Sequence, residues 1–436
     1  MSDDIYTALA RTALLLERDV FGPGVDHRAI IDGLRATTVR VLADRRNVAT
    51  PAGQTALVTL FGQLAMIGLQ IDLDVPEIPL VAEQPPLRGG QLLGGLLDYA
   101  DDLMPGGSSN PGTPTVTFAL GDTAAPADAI RVSGTGWRAD VGPRATSIAW
   151  QGDDQVGAMA AAAAAAADGL RAALPHTAER LNRPAPSAAG WRLLPERQVT
   201  LDLTDYRTRR PSRLGHVDVI SGGAITNAAL YALLRMPRMT TDLRIIEPEL
   251  LDLSNLNRYA LARRSWIDTA KTTMLSSYTR NGLSVTGVPT RFDHRAAQAL
   301  APIAEHVLVG VDHIPSRWLV QAAAPRSWIG IGASSHDFVL VSAHPSGAAC
   351  AGCVHPKDDD TDGPIPTVSF VSFWAGLIQA LDLTSSSRAA AQTRTRSTQV
   401  WPLGLHNPRG LHRYTQAPAP NCPLYCPMSR PEQAAA

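Results

Sequence analysis

The segment from His216 to Leu234 constrains this chain more than any other. A β-rich run, His216 to Ile220, passes through the small-residue turn Ser221-Gly222-Gly223-Ala224 into an apolar stretch, Ile225 to Leu234, that reads as a helix. Strand, tight turn and helix in that order begin a doubly wound α/β fold, and they set backbone amides and a helix N-terminus against an anion. A second strand, Leu243 to Ile246, ends in Glu247, about twenty residues beyond the turn, where an acid holds ribose hydroxyls in nucleotide sites. Ser221 and Thr226 stand where a full G-x-G-x-x-G pattern has its first and third glycines, so the turn alone does not separate a nucleotide site from a plain structural turn.

The next residues sharpen the reading. Glu247-Pro248-Glu249 is followed by Leu253-Ser254-Asn255-Leu256-Asn257-Arg258-Tyr259 and by Asp268-Thr269-Ala270-Lys271. A strand over Val307 to Val311 then ends in Asp312, with Arg317 five residues on. This order resembles the adenylating domain of the ubiquitin-activating enzyme superfamily (ThiF/MoeB/HesA type), which includes the bacterial enzymes that activate sulfur-carrier proteins and the microcin maturation enzyme. The resemblance covers about residues 215 to 430, and the Ser-Asn-Leu-Asn-Arg string is its most specific piece. It implies a Rossmann-like domain that binds ATP at Ser221, Gly222 and Gly223, with Glu247 on the ribose in place of the usual Asp. It further implies Asn255 and Arg258 facing the triphosphate, Lys271 on the phosphates as a point charge, and Asp312 holding Mg²⁺.

The residue chemistry agrees. Attack by a carboxylate on the α-phosphate builds negative charge on phosphate oxygens, which calls for fixed cations rather than a protein nucleophile. Taken singly, Arg258 or Glu247 is an ordinary surface charge and Asp312 a helix cap. Lys271 is different, because 37 of the 39 basic residues are arginine and only Lys271 and Lys357 are lysine. A retained lysine points to a task that a forked guanidinium does badly.

Cys350-Ala351-Gly352-Cys353 and Cys422-Pro423-Leu424-Tyr425-Cys426 are two short hooks of the kind that together hold one tetrahedral Zn²⁺, and four cysteines in such pairs read poorly as disulfides. Four thiolates leave no open coordination position, so the zinc is expected to staple the fold. With every cysteine so used, none remains to take a thioester from an adenylate. The product is then an acyl-adenylate passed to a sulfur donor, an amine or a partner's cysteine. The acidic run between the hooks, from Lys357 to Gly363, reads as a solvated loop, the helix Phe370 to Leu381 as sheet packing, and Pro364 to Pro366 as part of the path of the substrate tail.

The first half alternates helical and strand patterns without an active-site motif: an amphipathic segment Ile5 to Leu16, strands at Thr38 to Leu42, Leu69 to Asp74, Thr115 to Leu120 and Ile130 to Ser133, and helices at Gly53 to Gly68 and Val156 to Leu174, with a loop over Pro105 to Pro114. The expected organisation is an N-terminal α/β domain over 1–175, a linker with a strand near Gln198 to Leu203 over 176–214, and the adenylating domain over 215–436. The N-terminal domain reads either as a degenerate copy of the second or as an unrelated recognition module. Arg207, Arg209, Arg210 and Arg213 read as solvated linker charges, with a phosphate contact as the alternative.

A net charge of −1 carries no footprint for nucleic acid or an anionic membrane, and the longest apolar stretch, Ala160 to Ala167, is too short to span a bilayer. The cysteine pairs suit a reducing cytoplasm, where the protein is expected, and the resemblance implies ATP and Mg²⁺ beside the structural Zn²⁺. The resemblance adds a ubiquitin-like or peptide substrate and a homodimer. Two function classes stand: an ATP-dependent adenylating enzyme acting on a carboxylate, and a weak or inactive homologue that binds a nucleotide or a partner, favoured by Ser221 and Thr226.

Overall fold

The computed structural model describes residues 3–104, 112–194, 196–208, 212–357, 363–386 and 394–424. Part of the expected loop at 105–111, Arg209, Arg210, the acidic residues 358–362 and Cys426 lie outside the described residues.

The expected opening segment divides into α1 (Asp3–Ala8) and α2 (Ala10–Leu16), followed by α3 (His27–Arg35). Valine-rich β1 (Thr38–Leu42) is covered on both faces, as a parallel strand under helices should be. Thr50 starts α4 (Pro51–Ile67) by accepting the Gly53 N–H at 3.2 Å, and Gly68 ends it at φ +98°, a left-handed turn that glycine takes without strain. The half continues with β2 (Gln70–Asp74), α5 (Leu92–Leu103), β3 (Val116–Leu120), β4 (Ile130–Thr135), β5 (Arg138–Gly142), α6 (Val156–Arg180) and β6 (Val199–Asp202). These strands form one sheet in the order β2-β1-β3-β4-β5-β6, parallel up to β4 and antiparallel beyond it.

The second half carries β7 (Ser212–Ile220), α7 (Ala224–Leu234), β8 (Met239–Ile246), α8 (Lys271–Ser276), β9 (Leu283–Val288), α9 (His294–Ala299) and β10 (His306–Val309). It continues with α10 (Ile314–Ala323), β11 (Trp328–Ser335), β12 (Phe338–His344), α11 (Ala351–Val354), α12 (Ser369–Ser386), β13 (Thr395–Val400) and β14 (Leu411–Gln416). Its sheet runs β14-β13-β12-β11-β10-β7-β8-β9, parallel from β9 to β11 and antiparallel from there on.

Without its edge strands β9 and β14, the second sheet reads β8-β7-β10-β11-β12-β13 and matches the first, position by position and direction by direction. The helices repeat as well: α4 links β1 to β2 as α7 links β7 to β8, and α6 lies between β5 and β6 as α12 lies between β12 and β13. The first half therefore repeats the topology of the second.

Buried helices join the halves. α4 and α7 are buried along nearly their whole lengths, α6 over its first nineteen residues and α12 throughout, so none of them shows the one-sided apolar stripe of a surface helix. α4 packs on α6 and α7 on α12, while α12 also touches α6 and α4. Small residues permit the close approach: the alanine run of α6 is buried, and Gly376 of α12 lies directly on α7. Phe370 and Phe373, fully buried on α12, each contribute about 1.5–3 kcal/mol of burial. Thr59 of α4 and Tyr231 of α7 share a 2.8 Å hydrogen bond inside this layer.

The stretch 176–214 is more than a linker. α6 runs on through Pro175 to Arg180, and β6 completes the first sheet. Buried Arg171 fastens the following loop by donating to Gly190 O at 2.9 Å, reaches the second half at Leu403 O at 2.5 Å, and pairs with Asp168 at 2.5 Å. A Pro- and Arg-rich composition suggests a solvated connection, but these carbonyl contacts hold the segment down. Among the described residues no helix is long and apolar enough to cross a membrane.

Candidate nucleotide site and cysteine cluster

In the second sheet the chain order reverses between β7 and β10, and in open α/β sheets ligands bind outside the strand ends at such a point. The β7–α7 turn forms one wall. Ser221 sits at φ +91°, the left-handed region in which glycine is favoured, and two bonds hold it there: its Oγ accepts the Gly223 N–H at 3.0 Å, and its carbonyl accepts the Thr226 hydroxyl at 2.7 Å. Asn227 Nδ2 donates to the carbonyls of Gly222 and Gly223, both at 3.0 Å. α7 itself starts without a side-chain cap, which leaves its first-turn amides as a natural anion site.

Glu247 is buried beneath this turn. Its Oε2 accepts the Gly222 N–H at 2.6 Å and its Oε1 the Glu249 N–H at 2.9 Å. A Cβ on Gly222 would stand 2.9 Å from Glu247 Cγ, so glycine is required where the acid packs. The carboxylate thus stiffens the turn, a role the sequence does not announce. Each oxygen keeps a second lone pair free to accept another hydrogen bond.

Opposite, the Asn-Leu-Asn-Arg loop folds as a short 3₁₀ turn, Leu253–Asn255, capped reciprocally by Asp252 and Asn255. Asn255 Oδ1 accepts the Asp252 N–H at 3.0 Å, so part of this side chain serves the loop itself. Arg258 donates to the Ser254 carbonyl and, at 2.8 Å, to Asn257 Oδ1. Lys271 is 4% exposed and reaches Glu249 Oε2 at 2.5 Å. Burial would lower the pKa of this ammonium, but Tyr259, Glu249 and Glu247 outweigh burial and raise it, so it stays charged. Asp312 is exposed just beyond β10, and Gly310 between them faces the Thr226 hydroxyl, where a Cβ would come within 3.0 Å.

One contributor is invisible in the sequence. Arg11 of α2 comes from the first half and donates to Ile365 O at 3.2 Å. Burial lowers its pKa, opposed by the nearby Asp312 and Tyr259. Arg258 is likewise lowered by burial and by Arg11, and is supported by Tyr259, Asp312 and Asp252. Arg11, Arg258 and Asp312 therefore form one electrostatic group. The N-terminal helices are tied to the loop by a 3.1 Å bond from Asn257 Nδ2 to Thr12 Oγ1 and by the Arg264–Asp4 ion pair. Ile365 belongs to the Pro364 to Pro366 segment, which runs beside this group. The described linker arginines lie elsewhere: Arg207 pairs with Asp154 at 3.2 Å, and Arg213 lies at the opposite, N-terminal end of β7.

The equivalent crevice of the first sheet, between β1 and β3, is filled by protein. Buried Asn47 donates to Asp44 at 3.0 Å, to Asp122 at 2.7 Å and to Thr123 at 3.1 Å. A Cβ on Gly121 would lie 1.9 Å from Asn47 Oδ1. Asp122 stands near the strand end as Asp312 does, but it pairs with Arg46 at 3.0 Å.

The thiols of Cys350, Cys353 and Cys422 gather within 4.8 Å of one another, all buried; Cys426 is outside the described residues. The 350–353 and 350–422 sulfur pairs stand 3.8 and 3.3 Å apart. Tetrahedral zinc–thiolate geometry sets sulfurs about 3.8 Å apart, so the donor set suits zinc. Gly352 leaves room for Cys422, whose Sγ would lie 3.0 Å from a Cβ there. The cluster supports the site from behind: Ala351 N–H bonds Gln321 of α10 at 3.1 Å, Trp318 donates to His355 O at 2.9 Å, and Arg317 donates to Val311 O at 2.9 Å, next to Asp312.

No protein-family model matches this chain. A stretch of 148 residues, 33% of the chain, is 31% identical to the uncharacterized protein y4jF of Sinorhizobium fredii (strain NBRC 101917 / NGR234), and spans 28% of that protein's length. Among solved structures, E. coli MccB with ATP aligns at 14% identity and a TM-score of 0.39, over 49% of this chain and 66% of that one. The microcin C7 biosynthetic enzyme MccB in complex with N-formylated MccA gives 14% and 0.38 over 49% and 67%, and PaaA gives 11% and 0.35 over 47% and 64%.

Proposed function

We propose that this protein is an adenylating enzyme of the ubiquitin-activating type that uses ATP to activate a carboxylate, releasing pyrophosphate. The substrate carboxylate is the C-terminus of a peptide or ubiquitin-like protein. The observation that carries the reading is the grouping of Arg11, Arg258 and Asp312 beside the loop that holds Lys271, across from an uncapped α7 at the switch point of a parallel sheet.

In this reading the triphosphate lies along the first turn of α7, with Lys271, Arg258 and Arg11 on its oxygens and Glu247 near the ribose. A carboxylate oxygen attacks the α-phosphorus, the bond to the bridging oxygen breaks, and pyrophosphate leaves with the electron pair. The three cations offset the charge that builds on the phosphate oxygens, and losing one costs about 3 kcal/mol of barrier. Asp312, an exposed carboxylate beside these cations, fits the hard-cation chemistry of Mg²⁺ and would hold the ion, which would supply positive charge to offset that of the leaving pyrophosphate. Arg11 makes the site composite: the first half, whose own crevice Asn47 fills, lends a cation to the second. Zinc at the cysteines serves the fold, and the described cysteines offer no acceptor for an acyl group.

ATP–pyrophosphate exchange with a panel of carboxylate peptides tests this. Exchange that falls by about a hundredfold in Lys271→Ala and Asp312→Ala supports it. Absence of exchange and of ATP binding would instead favour an inactive partner-binding homologue. Ser221 motivates that second reading, since its hydroxyl occupies the Gly223 amide that would otherwise face a phosphate.

A further inference from the structure

Tyr259 follows Arg258 in the loop facing the β7–α7 turn, and its side chain is 4% exposed. Two cations share its ring: Lys271 Nζ and Arg258 Cζ each lie 5.5 Å from the centroid. Its hydroxyl extends to the turn, 3.8 Å from where a Cβ on Gly223 would stand. Buried tyrosines normally place this hydroxyl on a partner. Tyr278 donates to Leu261 O at 2.7 Å, Tyr231 pairs with Thr59 at 2.8 Å and Tyr206 with Thr398 at 3.3 Å. Among the described residues no hydrogen bond reaches the Tyr259 hydroxyl; that of Tyr99, sealed in the core, also lacks a partner, whereas the Tyr259 hydroxyl is not sealed off. The two exceptions differ in place: the Tyr259 hydroxyl points at the N-terminus of an eleven-residue helix that starts without a side-chain cap.

We infer that Tyr259 is a further binding residue of this site, its hydroxyl donating a hydrogen bond to a phosphate oxygen held at the start of α7 while its ring fixes the separation of Lys271 and Arg258. The inference rests on the ATP reading above and adds a neutral donor between two charged ones. A phenol suits that position because it contributes a directed hydrogen bond without adding repulsion between neighbouring cations. Its π-face also attracts both of them.

Calorimetric titration of the full chain with ATP, AMP and adenosine, repeated for Tyr259→Phe, tests the inference. The phenylalanine variant keeps the ring and the fold, and loses one hydrogen bond to a charged acceptor. ATP should bind about ten-fold more weakly or worse, adenosine should bind as it does to the parent, and the KM for ATP in pyrophosphate exchange should rise. Equal ATP affinity in variant and parent overturns the role of Tyr259 and leaves the adenylation reading standing. Weakened adenosine binding in the variant marks a merely structural role and also overturns it, and a parent that binds no ATP overturns both readings.

Discussion

Gly376 offers a demanding test of how the core sets the site. It lies on α12 where α12 crosses α7, and a Cβ there would stand 2.5 Å from Ala228 Cβ, Ala229 N and Ile225 O. Ordinary contact begins near 3.4 Å, so Gly376→Ala obliges the helices to part by about 0.9 Å. Two of the three opposing atoms are backbone, so no side chain can swing away. Overpacking of this kind costs about 1–3 kcal/mol. Alanine returns up to ~1 kcal/mol through helix propensity, which leaves a net loss of about 2 kcal/mol for a clash at the upper end of that range. Because Ile225 belongs to the first turn of α7, the displacement also reaches the proposed phosphate cradle, and ATP affinity should fall along with stability. Urea unfolding and nucleotide titration measure the two. A variant as stable as the parent, with the parent's affinity, would refute the claim that α12 positions α7 by direct contact.

Arg11→Ala should slow pyrophosphate exchange about ten- to a hundredfold while shifting the unfolding free energy by less than ~1 kcal/mol; loss of fold with no separate effect on exchange would make Arg11 structural. Burial pushes the Asp337 carboxyl up to about 7, opposed by the Leu403 N–H and Arg171 and aided by Asp19. A raised folded-state value means stability is greatest below the unfolded value of 3.8 and declines as pH rises through about 7. Asp337→Asn should therefore match the parent near pH 4 and gain on it toward pH 8, and a pH-independent difference in urea unfolding would contradict the sign. Elemental analysis should find about one zinc per chain. A chelator or Cys353→Ser should remove the zinc and lower the melting temperature together, and a metal-free parent that melts unchanged would sink the zinc assignment.

The sequence made legible what local periodicity encodes. β1, the β7–α7 turn and the first cysteine hook are each specified within a few residues, and the structure places elements at those positions. Composition hides β11 and β13: Gly330, Gly332, Ser334 and Ser335 interrupt β11, and Thr395-Arg396-Ser397-Thr398 in β13 reads as loop although most of it is buried. The last turns of α6, Pro175 to Arg180, are obscured by Pro175, whose lost hydrogen bond is tolerated inside a long packed helix. Arg11 carries no signal in the sequence, since an arginine on a short amphipathic helix gains its meaning only where that helix meets the 253–259 loop, as it does through Thr12 and Asn257. For Glu247 the residue type was visible, but its bonds to the turn beneath the proposed ribose position emerge only from the fold.

The most direct test of the central claim is a crystal structure with Mg²⁺ and a non-hydrolysable ATP analogue. The triphosphate is expected along the first turn of α7, with Lys271, Arg258 and Arg11 on its oxygens. A nucleotide bound elsewhere, or one whose phosphates touch none of these three cations, would contradict it.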